Sequence, residues 1–71
     1  MKNKLEELRV KNKLTQQELA DALEVSRQTV ISLEQGRYNP SILLAFRVAR
    51  YFNLPIENIF IYEEGSENGQ K

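Results

Sequence analysis

The sequence predicts an all-α domain of five short helices, with a short β-ribbon joining its two ends. Three observations predict it. Apolar residues recur three or four positions apart along most of the chain, the period of a helix with one buried face. Thr15, Ser26 and Ser41 each stand just before such a run, where a side-chain oxygen can satisfy the exposed amides of a first helical turn. The only stretch with a strand's composition is FIYE, Phe60 to Glu63, which residues 1 to 3 are placed to pair with.

Leu5 and Leu8, set among charged neighbours, make a first helix over about Lys4 to Lys11. Thr15 followed by Glu18 is a capping box, in which the threonine oxygen accepts from the third helical amide and the glutamate reaches back. It opens a second helix, about residues 16–23, with Leu19, Ala20 and Leu23 on its apolar face. Ser26 opens a third, about 27–35, with Val30 and Leu33 inward, and Gly36 closes it because glycine tolerates the left-handed conformation of a helix end. The connector RYNP follows, and Ser41 starts a fourth helix. Its core face is expected at Ala45, Phe46, Ala49 and Phe52, with Leu44, Val48 and Tyr51 on an adjoining stripe that the core does not exhaust. Pro55 suits the first turn of a fifth helix to about Ile59. Residues 1–62 thus form one domain, and residues 63–71 are a polar, frayed tail.

Composition narrows the function. Cysteine and histidine are both absent. A disulfide framework, the common soft metal sites and histidine acid/base chemistry are therefore excluded, which argues against an enzyme and implies no metal and no cofactor. No apolar run is long enough for a signal peptide or a membrane span, so a soluble cytoplasmic protein is expected, with neither a membrane nor a small-molecule substrate as partner. The formal net charge is +0, but it is unevenly spread: nine Lys/Arg against six Asp/Glu give +3 over residues 1–50, and one against four gives −3 over residues 51–71. The body is basic and the end acidic.

Two helices of about eight residues joined by a short turn form a helix-turn-helix, with Ala20 small enough for the close crossing. With Val30 and Leu33 inward, Arg27, Gln28, Ile31 and Ser32 point outward near the start of the second of these helices. Arginine bonds bidentately to guanine and glutamine to adenine in the major groove, so this set suits the reading of base edges. Ile31 suits either a thymine methyl or a seat against the domain itself. Gln16, Gln17, Ser26 and Thr29 lie where helix N-termini offer free amides to phosphates, and Arg37, Tyr38 and Asn39 follow the third helix as further backbone contacts. Taken singly, long polar side chains such as Arg27 and Gln28 usually only face water. Their place on the second helix of this motif turns the reading towards DNA.

The stretches LRVKNKLTQQELADALEVSRQTVISLEQG and NPSILLAFRVARYFNLPIENIF, about residues 8 to 60, resemble the lambda-repressor-like helix-turn-helix domains of the Xre/Cro type found in bacterial and phage repressors. The resemblance implies five helices, homodimerisation and binding of double-stranded DNA at a short inverted-repeat operator. It implies a phosphate contact at Gln16, base contacts at Arg27, Gln28 and Ser32, backbone contacts from Arg37 to Asn39, and an internal pair between Arg9 and Glu34. One departure is visible, since the turn position often filled by glycine is Glu24 here.

A dimer has its own basis in the sequence. Leu54, Ile56, Ile59, Phe60 and Ile61 crowd one short segment, and a leftover apolar patch on a small domain marks an interface. Leu44, Leu54, Ile56, Ile59 and Ile61 are the expected interface residues. The reading from sequence is a sequence-specific DNA-binding transcriptional regulator, a repressor acting as a homodimer. Its rival is a protein-interaction module, an antitoxin or adaptor that uses the same fold to hold another protein.

Overall fold

In the computed structural model, which describes residues 1–37 and 39–61, four α-helices form, α1 (Leu5–Lys11), α2 (Gln16–Leu23), α3 (Arg27–Glu34) and α4 (Ile42–Phe52), and the last three start where the capping signals place them. The capping box is complete, with Thr15 Oγ1 accepting from the Glu18 amide at 3.0 Å and Glu18 Oε1 accepting from the Thr15 amide at 2.8 Å. Ser26 and Ser41 cap α3 and α4 through the amides of Thr29 and Leu44, at 3.2 and 3.1 Å.

The helices also end alike. Lys13, Glu24, Gly36 and Asn53 all take positive φ just past a helix, at 61°, 62°, 71° and 58°. In each case the next amide reaches back five residues in the same bonding pattern: Leu14 to Arg9, Val25 to Ala20, Arg37 to Ser32 and Leu54 to Ala49. This stop uses glycine only once among the four.

The fifth helix expected at Pro55 to Ile59 is a single 3₁₀ turn, Ile56–Asn58. Among the described residues four α-helices, not five, make the domain. The segment runs straight into β2, so no room remains for a second turn. β1 (Lys2–Asn3) and β2 (Phe60–Ile61) pair antiparallel with Lys2 opposite Ile61, the expected ribbon between the ends. Asn3 stitches it down, its Nδ2 donating to the Leu33 carbonyl at 2.7 Å and its Oδ1 accepting from the Leu5 amide at 3.0 Å.

Leu5, Leu19, Leu23, Val30, Leu33, Val48 and Ile59 are fully buried, and Ala20 is buried with them. Each of the larger side chains contributes about 1.5–3 kcal/mol by leaving water. Helix α4 is rotated from its expected setting. Leu44, Ala45 and Val48 are buried while Phe46 is 51% exposed. Apolar residues surround most of this helix, so periodicity alone does not choose its inward face. The choice is fixed by packing and by Arg47 on the opposite flank, whose Nη1 donates to the Leu23 carbonyl at the end of α2 at 3.1 Å. The expected tail, residues 63–71, lies outside the described residues.

Candidate nucleic-acid interface

The two helices of the motif are held by one carboxylate. Glu34, the last residue of α3, accepts from Arg9 Nε at 2.6 Å through Oε2, and from Arg9 Nη2 at 3.3 Å and Gln16 Nε2 at 3.2 Å through Oε1. Arg9 Nη1 donates to the Leu14 carbonyl in the turn before α2 at 2.9 Å. The end of α1, the start of α2 and the end of α3 therefore meet at one point. The pair is shielded, with the two side chains 13% and 5% exposed. The hydrogen bond to Glu34 holds the Arg9 guanidinium above its ordinary range, outweighing the cost of desolvation.

On this frame the expected reading residues share one arc of α3. Arg27 and Gln28 are exposed, and Ile31 and Ser32 are half-buried beside them. Gln35, just past the helix, is exposed on the same arc, seven positions after Gln28. It was not among the residues expected from sequence, although that spacing from Gln28 marks it. Ile31 thus rests partly on the domain while keeping an outward edge.

The backbone-contact set is less uniform. Gln17 is exposed but its amide donates to Asp21 Oδ1 at 2.9 Å. Gln16 is half-buried and tied to Glu34, so it is a brace of the motif as well as a first-turn residue. The Ser26 hydroxyl accepts from the Thr29 amide and lies 3.0 Å from Thr29 Oγ1, which commits both hydroxyls to the cap. Main-chain amides of the first turn, at Gln16, Gln17, Arg27 and Gln28, have no helical carbonyl behind them. Arg37 and Asn39 are exposed on the loop after α3, and Tyr38 lies outside the described residues.

Of the five expected dimer residues, Leu44 and Ile59 are corrected: Leu44 is 8% exposed and Ile59 0%, so both belong to the monomer's own core. The rotation of α4 takes Leu44 inward, and the 3₁₀ turn places Ile59 at the base of the ribbon. Leu54, Ile56 and Ile61 are half-buried.

The family of proteins described as Helix-turn-helix matches this chain over residues 5–59, which spans all four helices and the arc just described. The chain belongs to the lambda-repressor-like helix-turn-helix family. An uncharacterized HTH-type transcriptional regulator of Methanocaldococcus jannaschii is 55% identical over 64 residues, covering 90% of this chain and 97% of that protein. The uncharacterized HTH-type transcriptional regulator YgzD of Bacillus subtilis is 42% identical over 64 residues, with 90% and 97% covered. Among solved structures, the restriction-modification controller protein C.AhdI of Aeromonas hydrophila is similar with a TM-score of 0.72 at 28% identity, over 80% of this chain and 86% of that one.

The helix-turn-helix protein therefore carries a DNA-binding fold, and its family is one of transcriptional regulators rather than of enzymes. Its relatives come from archaea as well as bacteria, so the expected restriction to bacteria and phages does not follow from membership. Among the described residues no helix is long and apolar enough to cross a membrane.

Proposed function

We propose that this helix-turn-helix protein is a sequence-specific regulator that represses transcription by occupying a short inverted-repeat operator as a homodimer. The observation that carries the reading is the exposed arc of α3, with Arg27 and Gln28 at its start. Their chemistries match guanine and adenine edges in the major groove, and α3 is braced at its far end by Glu34. Ile31 and Ser32 complete the base-facing set. Amides at the starts of α2 and α3, with Gln16, Gln17, Ser26 and Thr29 around them, and the loop at Arg37, Tyr38 and Asn39 hold phosphates and fix the register. Two copies related by a twofold axis would set their reading helices about 34 Å apart, one turn of B-DNA. Doubling the contacts also compensates for a chain whose formal net charge is +0.

Selection from a randomised duplex library at about 150 mM salt tests this reading, since non-specific attraction is weak there. A palindromic site with half-site centres about 10 to 11 base pairs apart is expected. Absence of any enriched sequence would favour a module that holds another protein.

A further inference from the structure

The first half of α4 carries an apolar surface that the domain does not use. Ile42 is 74% exposed, Leu43 59% and Phe46 51%. Of the other large exposed apolar residues among those described, Val10 lies on α1, Tyr51 lies near the end of α4, and Met1 lines the hollow beside this surface. Beside this surface, on the flank where Ala45 lies, is a cleft of about 350 Å³ whose apolar lining comes from Met1, Pro40, Ala45, Ile56 and Phe60, with Glu57 its one ionisable side chain. Protruding side chains and a cleft to receive them thus adjoin on one face.

That pairing suits a second copy of the same chain. A twofold interface needs one self-complementary patch, in which the residue that protrudes from one copy meets the hollow of the other and the reverse. Ile42 and Phe46 stand one helical turn apart on the same side of α4, and Phe46 directly follows the cleft residue Ala45. At roughly 200 Å² for a large apolar side chain, the exposed parts of Ile42, Leu43 and Phe46 sum to roughly 400 Å². A stable interface takes about 800 Å² from each partner. The three side chains supply the dry centre of such an interface, and the cleft walls extend it. The cleft is also lined by Asn39, two residues after Arg37 on the loop assigned above to the DNA backbone. A copy docked here stands beside the first one's DNA-facing surface.

We propose that this face of α4 is the homodimer interface, each copy seating Phe46 in the cleft of the other, so that the interface adjoins the DNA-contacting loop. The proposal rests on the DNA-binding reading above for its purpose and moves the centre of the dimer from the C-terminal segment to α4.

Sedimentation of the full chain over a concentration series, free and with its selected duplex, tests it. Phe46→Glu and Ile42→Glu are expected to weaken dimerisation by about 100-fold with an unchanged circular dichroism spectrum, because both side chains already face water. Leu54→Glu, at a residue packed against the core, should leave the dimer intact wherever its circular dichroism spectrum shows the fold retained. A wild-type chain that stays monomeric at about 100 µM and on its duplex would overturn the proposal. So would a dimer indifferent to both α4 variants and abolished by Leu54→Glu. A dimer that the α4 variants dissolve but that prefers no duplex sequence supports this interface and counts against the DNA reading alone.

Discussion

Gln16 Nε2 lies 3.2 Å from Glu34 Oε1, so the first residue of α2 is bonded to the last residue of α3. The same carboxylate takes two bonds from Arg9, of 2.6 and 3.3 Å. Orientation of the two helices of the motif therefore depends on one shielded side chain rather than on packing alone. Replacing Glu34 by alanine leaves the Arg9 charge shielded without its partner, which costs about 3 kcal/mol or more. Urea unfolding of Glu34→Ala should show that loss with an unchanged slope. A loss under about 0.5 kcal/mol, typical of a surface pair, would show that the brace is unimportant.

Glu24 holds a left-handed conformation at φ 62° without being glycine. That strain is about 1 kcal/mol. Its ion pair with Arg47 is long, at 3.7 Å, and the glutamate side chain is 77% exposed, so losing it costs little. Glu24→Gly should raise the thermal midpoint by about 4 °C or more. A lowered midpoint in calorimetry would mean that the pair outweighs the strain.

Gly36 is the opposite case. It sits at φ 71°, and a Cβ there would come within 3.0 Å of the Met1 carbonyl oxygen, so a side chain meets both backbone strain and the main chain just before β1. Gly36→Ala should destabilise the fold by about 1–2 kcal/mol, read by the same unfolding measurement. An alanine variant as stable as the wild type would refute the close approach.

Arg37, exposed on the loop after α3, is assigned to phosphate. Arg37→Ala should weaken binding to selected and scrambled duplexes alike and flatten the slope of log affinity against log salt by about 1. A loss confined to the selected duplex would make it a base-reading residue instead.

Much of this was legible in the sequence because caps and stops are local. Thr15 with Glu18, Ser26 and Ser41 announce the starts of three helices, and the three-residue helical spacing of apolar positions places Val30 and Leu33 inward. The outward setting of Arg27 and Gln28 follows from the same periodicity. The pairing of Arg9 with Glu34 was anticipated only through the family resemblance, since 25 residues separate the two. What stayed hidden depends on long-range packing. The face that α4 buries is fixed by its neighbours, because Ile42, Leu43 and Phe46 are as apolar as the buried Leu44 and Val48. For the same reason the inward setting of Leu44 is not legible in its composition, whereas Ile59 is buried by the 3₁₀ turn that places it at the base of the ribbon. The segment after Pro55 has a helix's starting signal but only a 3₁₀ turn's length before the ribbon begins.

The central claim is that α3 reads base edges through Gln28 and its neighbours. The most direct test is the affinity of wild type and Gln28→Ala for the selected duplex, for single base-pair changes within each half-site, and for scrambled DNA. The expected result is a loss of about 1 to 3 kcal/mol on the selected duplex, with preference relaxed at one position per half-site and scrambled DNA bound as before. Equal losses on selected and scrambled duplexes, with every base preference retained, would contradict it.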